Sequence, residues 1–239
     1  MCMNSDDKIE KKSITISLNK NNHIYNIQGD LIIPKDSKEL VIFAHGSGSG
    51  RYSPRNQYVA NVLNNYGIST LLLDLLTDDE EKVDNITREY RFDIELLSNR
   101  LISITDWLLE QENTKDKILG YFGASTGAAA ALIAADKRSE NISAIVSRGG
   151  RVDLASKYTS LRKIICPILL IVGENDDKVI EINQYILNNY LENVEKKKMI
   201  IIPGASHLFE EHGKLEEVAE KASGWFRCYF QIKEHNLKK

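Results

Sequence analysis

With 239 residues, 42% of them hydrophobic and 27% charged, the chain has the composition of a folded globular protein with one large core, unlike disordered or fibrous chains. A formal net charge of −3, with 31 Lys and Arg residues scattered rather than gathered in a stripe, argues against a nucleic-acid partner. One domain over residues 1–239 is expected.

The polar opening, "MCMNSDDKIEKK", lacks the apolar core of a secretory signal. Residues 1–12 are therefore expected to be a flexible segment, Cys2 not to be a lipid-attachment site, and the protein to be cytoplasmic. The three cysteines, Cys2, Cys166 and Cys228, are too few and too far apart for a disulfide framework or a metal knuckle. They read as two packed thiols and one tail residue. "SITISL" and "HIYNIQGDLIIP" alternate in polarity across the turn-rich gap Asn19 to Asn22, which predicts a hairpin. From Leu40 onward "LVIFA", "ISTLLLDL", "KILGYF", "ISAIVS" and "PILLIVG" are short and almost wholly apolar, as in parallel strands covered on both faces. Helical patterns over 54–66, 92–111, 126–135 and 179–191 lie between them. "KKMIIIPG" adds a strand and "LEEVAEKASGWFRCYF" a closing amphipathic helix. The acidic run "TDDEEKVDNITRE" reads as a solvated loop. The longest apolar runs are about half of the ~20 residues that a membrane helix needs, so no membrane partner is expected.

This alternation predicts an α/β fold: a twisted, eight-stranded, mostly parallel sheet with an N-terminal antiparallel hairpin, helices on both faces, and ligands at the carboxyl ends of the strands. In the loop Gly46-Ser47-Gly48-Ser49-Gly50, a dinucleotide fingerprint would need glycine where Arg51 stands, and no Lys follows at the spacing of a nucleotide triphosphate loop. Behind "KILGYF", however, "GASTG" and "AAAALIAA" place G-x-S-x-G between a strand and a helix. Ser125 at the apex is the candidate nucleophile. Gly123 and Gly127 give it room.

A serine hydroxyl needs a base oriented by a carboxylate. Of the five histidines, His207 in "IIIPGASHLF" alone follows a late strand directly. Its candidate acid is Asp176 in "ILLIVGENDDKV", with Asp177 as a close rival that could instead cap the next helix. Acyl transfer also needs two N–H donors for the oxyanion, which points to Thr126 after the nucleophile and Ser47 in the glycine loop. His45 is expected to brace that loop.

Taken together, "FAHGSGSGRYSPRN", "YFGASTGAAAAL", "SRGGRVDLA", "LLIVGENDDKV" and "PGASHLFEE" resemble the α/β-hydrolases, in particular the small, lidless dienelactone hydrolase-like group. The resemblance implies an α/β-hydrolase fold and a nucleophile, aspartate and histidine at Ser125, Asp176 and His207. Dienelactone hydrolases proper carry cysteine as nucleophile, so Ser125 points toward general ester chemistry. Residues 147–166 leave room for about one helix and no cap domain, so the cleft is expected to be open unless the 77–90 loop folds over it. Arg51, Arg55, Arg148 and Arg151 follow strands near the mouth. They could fork onto a substrate carboxylate, with Arg51 and Arg148 as the candidates, or pair with Asp153 or Asp93. The expected activity is hydrolysis of a small ester or lactone without metal or organic cofactor. The alternatives are acyl transfer by the same residues and a non-catalytic ligand-binding homologue. A homodimer is allowed.

Overall fold

A computed structural model describes residues 10–20 and 23–237. Strand β1 (Glu10–Lys20) pairs antiparallel with β2 (His23–Ile33), from Glu10 opposite Ile33 to Lys20 opposite His23. The strands β3 (Glu39–Ala44), β4 (Ser69–Leu73), β5 (Ile118–Ala124), β6 (Ile142–Arg148), β7 (Ile168–Gly173) and β8 (Lys197–Ile202) follow. Their order in the sheet is β1-β2-β4-β3-β5-β6-β7-β8, parallel from β4 onward. Every residue of β4, β5 and β7 is buried, which is why these strands carry unbroken apolar sequence. The edge strand β8 alternates only loosely.

Two cores fill the two faces. On one, α3 (Ile94–Glu110), α4 (Thr126–Lys137) and α5 (Asp177–Asn189) cover Leu40, Ile42, Leu119, Tyr121, Ile145 and Leu170. On the other, α1 (Pro54–Asn65) and α6 (Lys214–Leu237) cover Val41, Phe43, Phe122, Val146 and Ile171. The alternating identity of the residues along β3 and β5 thus sorts them between the faces. Between β6 and β7 there is a short 3-10 helix, Val152–Lys157, and no cap domain.

The acidic run is not a loop. It forms α2 (Asp78–Thr87), started by a reciprocal cap in which Thr77 Oγ1 accepts from the Glu80 N–H at 3.2 Å and Glu80 accepts from the Thr77 N–H at 2.8 Å. The T-x-x-E spacing that signals this cap stands in the sequence, and the charge density masked it. Asp84, buried, accepts from Arg91 Nε at 2.7 Å, and Glu80 accepts from Arg100 Nη2 at 2.6 Å, so α2 is tied to the fold at two points.

Residues 10–12, expected to be flexible, belong to β1; the expectation for residues 1–9, Cys2 included, lies outside the described residues. The cysteine expectation also needs correcting. Cys166 is buried, and burial pushes its thiol up to about 12, but Cys228 is exposed on α6. No helix among the described residues is long and apolar enough to cross a membrane.

Candidate active site

The chain reverses its direction of travel across the sheet at β3: β4 lies on one side of it and β5 on the other. The loops leaving the carboxyl ends of β3 and β5 therefore sit side by side, with Ala44 opposite Gly123. Ser125 is the residue between β5 and α4, at φ 50° and ψ −120°, a left-handed conformation that costs a non-glycine residue of order 1–3 kcal/mol. Neighbouring backbone enforces it. A Cβ on Gly127 would run into the carbonyl oxygens of Ala44 and His45, and one on Gly123 would lie 2.9 Å from the Ala128 nitrogen. The Ser125 N–H donates to Arg148 O at 3.1 Å, and the Arg151 N–H donates to Ser125 O at 3.0 Å, which stitches the turn to the end of β6.

At the next rim position, loops after β7 and β8 are laced together. The Glu174 N–H donates to Ile202 O at 3.0 Å, the Asn175 N–H to Ala205 O at 2.9 Å, and the Gly204 N–H to the Glu174 carboxylate at 2.7 Å. Glu174 is thereby spent on the loop. Asp176 is the N-cap residue of α5 but makes no capping bond with its side chain; its Oδ2 lies 2.5 Å from His207 Nδ1. Asp177, the rival acid, is the exposed first residue of the helix, and no cap. With the carboxylate at Nδ1, the ring's other nitrogen, Nε2, is left for the cleft that His207 lines together with Ser125.

The glycine loop passes directly beside the serine. A Cβ on Gly46 would come within 3.1 Å of Ser125 Cβ and 3.2 Å of Ala124 O. Ser47 lines the cleft, and Thr126, as the first residue of α4, has an N–H with no acceptor a turn earlier. His45 braces the loop as expected: Nδ1–H donates to Gly46 O at 2.8 Å and Nε2 accepts from the Leu75 N–H at 3.0 Å. The Leu75 bond requires an unprotonated Nε2 and hence the neutral ring, and burial holds the pKa below the ordinary histidine value, opposed only in part by the Gly46 bond. Asp74 and Asp84 in the hollow behind the loop are already paired with Arg51 and Arg91.

A depressed histidine pKa has a defined consequence for stability. The unfolded ring takes up a proton near pH 6.5 while the folded one resists it, so this contribution is complete above about pH 6.5 and is lost as the pH falls below it. The urea midpoint should therefore drop between about pH 7 and pH 5, and drop less steeply in His45→Gln. Parallel slopes in the two proteins would show that His45 is not the group responsible.

The cleft, about 190 Å³, is lined by Gly46, Ser47, Ser53, Arg55, Asn56, Ser125, Arg148 and His207 among others. Arg51, expected at its mouth as a substrate-binding group, is not among them: it pairs with Asp74, lies 3.8 Å from Asp30, and stacks on Tyr52. Arg151 pairs with Asp153 at 2.9 Å, and Asp93 caps α3. Arg148 does reach the cleft. Ser53 and Asn56 do too, and their sequence offered no sign of it beyond the Ser-Pro start of a helix.

Three comparisons bear on this arrangement. Two Mycobacterium tuberculosis proteins, from strains CDC 1551 and H37Rv, each named as a candidate phosphoribosyl transferase, are 50% identical over 200 residues, covering 84% of this chain. The chain spans only 43% of their length. A crystal structure of a dienelactone hydrolase from Anabaena variabilis is 49% identical and superposes with a TM-score of 0.83, covering 92% of this chain and 98% of that one. The ferulic acid-bound Est1E of Butyrivibrio proteoclasticus, at 16% identity and TM-score 0.72 over 90% of this chain and 99% of that one, shares the fold. The dienelactone hydrolase family model matches residues 31–234, from the end of β2 through β8 and most of α6, and the chain belongs to that family of α/β-hydrolases.

Proposed function

We propose that the protein is a serine hydrolase that cleaves a small carboxylic ester or lactone through an acyl-enzyme on Ser125. The observation that carries this reading is one cleft lined by both Ser125, at the apex of a strained strand-to-helix turn, and His207, whose Nδ1 is held by Asp176 at 2.5 Å. In this reading Ser125 Oγ attacks the substrate carbonyl as its proton passes to His207 Nε2. The carbonyl oxygen becomes an oxyanion facing the Ser47 and Thr126 N–H groups, each such donor contributing about 3–4 kcal/mol of barrier reduction. His207 then gives the proton to the leaving alkoxide, and the alcohol departs. A water molecule, deprotonated by His207, attacks the acyl carbon, and collapse of the second tetrahedral species returns the proton to Ser125 and releases the acid.

Asp176 stabilises the imidazolium that exists during both halves of the cycle. Each transfer balances within these residues, substrate and water, so the scheme calls on no metal or organic cofactor. Supporting it, the family and the fold are those of hydrolases. The purified protein should release 4-nitrophenol from short-chain acyl esters and should be labelled at Ser125 by a fluorophosphonate probe. A folded protein that resists the probe and turns over no acyl ester of any chain length would refute the reading.

A further inference from the structure

Arg148, the last residue of β6, is 8% exposed, and its side chain lines the cleft beside Ser125. Its Nε and Nη1 have no hydrogen-bond partner, and its Nη2 makes one long contact, 3.4 Å, to Asn56 Oδ1. Among the described residues no carboxylate pairs with it, whereas Arg51, Arg55, Arg91, Arg100, Arg138 and Arg151 each have one. Burial, together with the nearby Arg55, brings its pKa down to about 10, so the group is still cationic at neutral pH. A buried charge without a counter-ion is costly, and a fold that keeps one in its cleft recovers that cost when an anion arrives.

The surroundings favour the same ligand. Arg55 lines the cleft from α1; its Nη1 donates to Glu210 at 2.7 Å, but its Nε is buried without a partner. Both arginines meet the start of α1, where Ser53 is the N-cap, Pro54 follows, and no acidic residue stands in the first turn, which leaves the positive end of the helix dipole uncompensated. We propose that Arg148, Arg55 and the first turn of α1 form a subsite for an oxyanion carried by the substrate, so that the ester opened at Ser125 is an anionic one. Donors converging from two separate elements suit a tetrahedral phosphate better than a flat carboxylate, which a single guanidinium fork can satisfy. The small volume of the cleft limits the chain between the anion and the scissile carbonyl to a few atoms.

This inference rests on the hydrolase reading for the word ester, but the subsite can be tested without turnover. Inorganic phosphate and succinate, compared at constant ionic strength, should each raise the Tm of the wild-type protein, phosphate more than succinate. Both should raise KM for 4-nitrophenyl butyrate competitively. In Arg148→Met the Tm shift should vanish and the inhibition constant rise by about tenfold or more. If that variant does not fold, Arg55→Met, at a less buried position, should weaken both effects several-fold in the same direction. A larger response to succinate supports the subsite and assigns it a carboxylate. A wild-type Tm and KM indifferent to both anions, or a shift that Arg148→Met retains in full, would overturn the proposal. Butyrate hydrolysis with no anion response discards the subsite and keeps the hydrolase; an Arg148-dependent Tm shift in a protein inert to esters and to the fluorophosphonate does the reverse.

Discussion

Ser125→Ala should reduce kcat for a 4-nitrophenyl ester by about 10⁶-fold and abolish fluorophosphonate labelling, because the acyl-enzyme has no other atom on which to form. What remains would come from the oxyanion donors and substrate binding, which survive the loss of the nucleophile. The Tm should move little. Alanine keeps the Cβ and therefore the positive-φ strain of residue 125, and no hydrogen bond that holds the turn uses the hydroxyl: the Ser125 N–H still meets Arg148 O, and Ser125 O still accepts from Arg151. A large loss of activity with an unchanged melting curve separates chemistry from folding. Unchanged turnover in this variant would move the nucleophile elsewhere and take the His207 assignment with it.

The legibility of these residues in the sequence follows from where their constraints lie. The strand pattern was readable because β4, β5 and β7 are buried on both faces, which leaves no room for polar residues along them. The turn around Ser125 was readable because only glycine fits where backbone meets backbone at positions 123 and 127. By contrast, α2 hid behind its own charge: eight of its ten residues, "DDEEKVDNIT", are polar or charged, and its stability comes from a cap and two ion pairs rather than from an apolar stripe. The arginines could not be sorted by sequence at all. Arg51 and Arg148 both follow strands, but whether a guanidinium finds a carboxylate depends on what the folded chain places beside it. Asp74 meets the first, and among the described residues only the Asn56 amide meets the second.

The sequence favoured Asp176 and left Asp177 a close rival, and the choice between them yields the second large effect. At neutral pH, Asp176→Asn should lower kcat by about 10⁴-fold, because an amide in place of the carboxylate can donate to His207 Nδ1, which forces the proton onto Nε2 and leaves no acceptor for the Ser125 hydroxyl. It also removes the charge that stabilises the imidazolium. Stability should be nearly untouched. Asparagine is as good an N-cap as aspartate, the native side chain makes no capping bond, and the lost charge at the start of α5 is worth only about 0.3–1 kcal/mol. Asp177→Asn, by the same reasoning, removes an exposed first-turn charge that does not reach the histidine, and should cost activity less than about threefold. Measured side by side, the two variants turn a one-residue ambiguity into a difference of some three orders of magnitude in kcat. Equal losses, or a larger loss at 177, would mean that the 2.5 Å contact between Asp176 and His207 is not the one that orients the base.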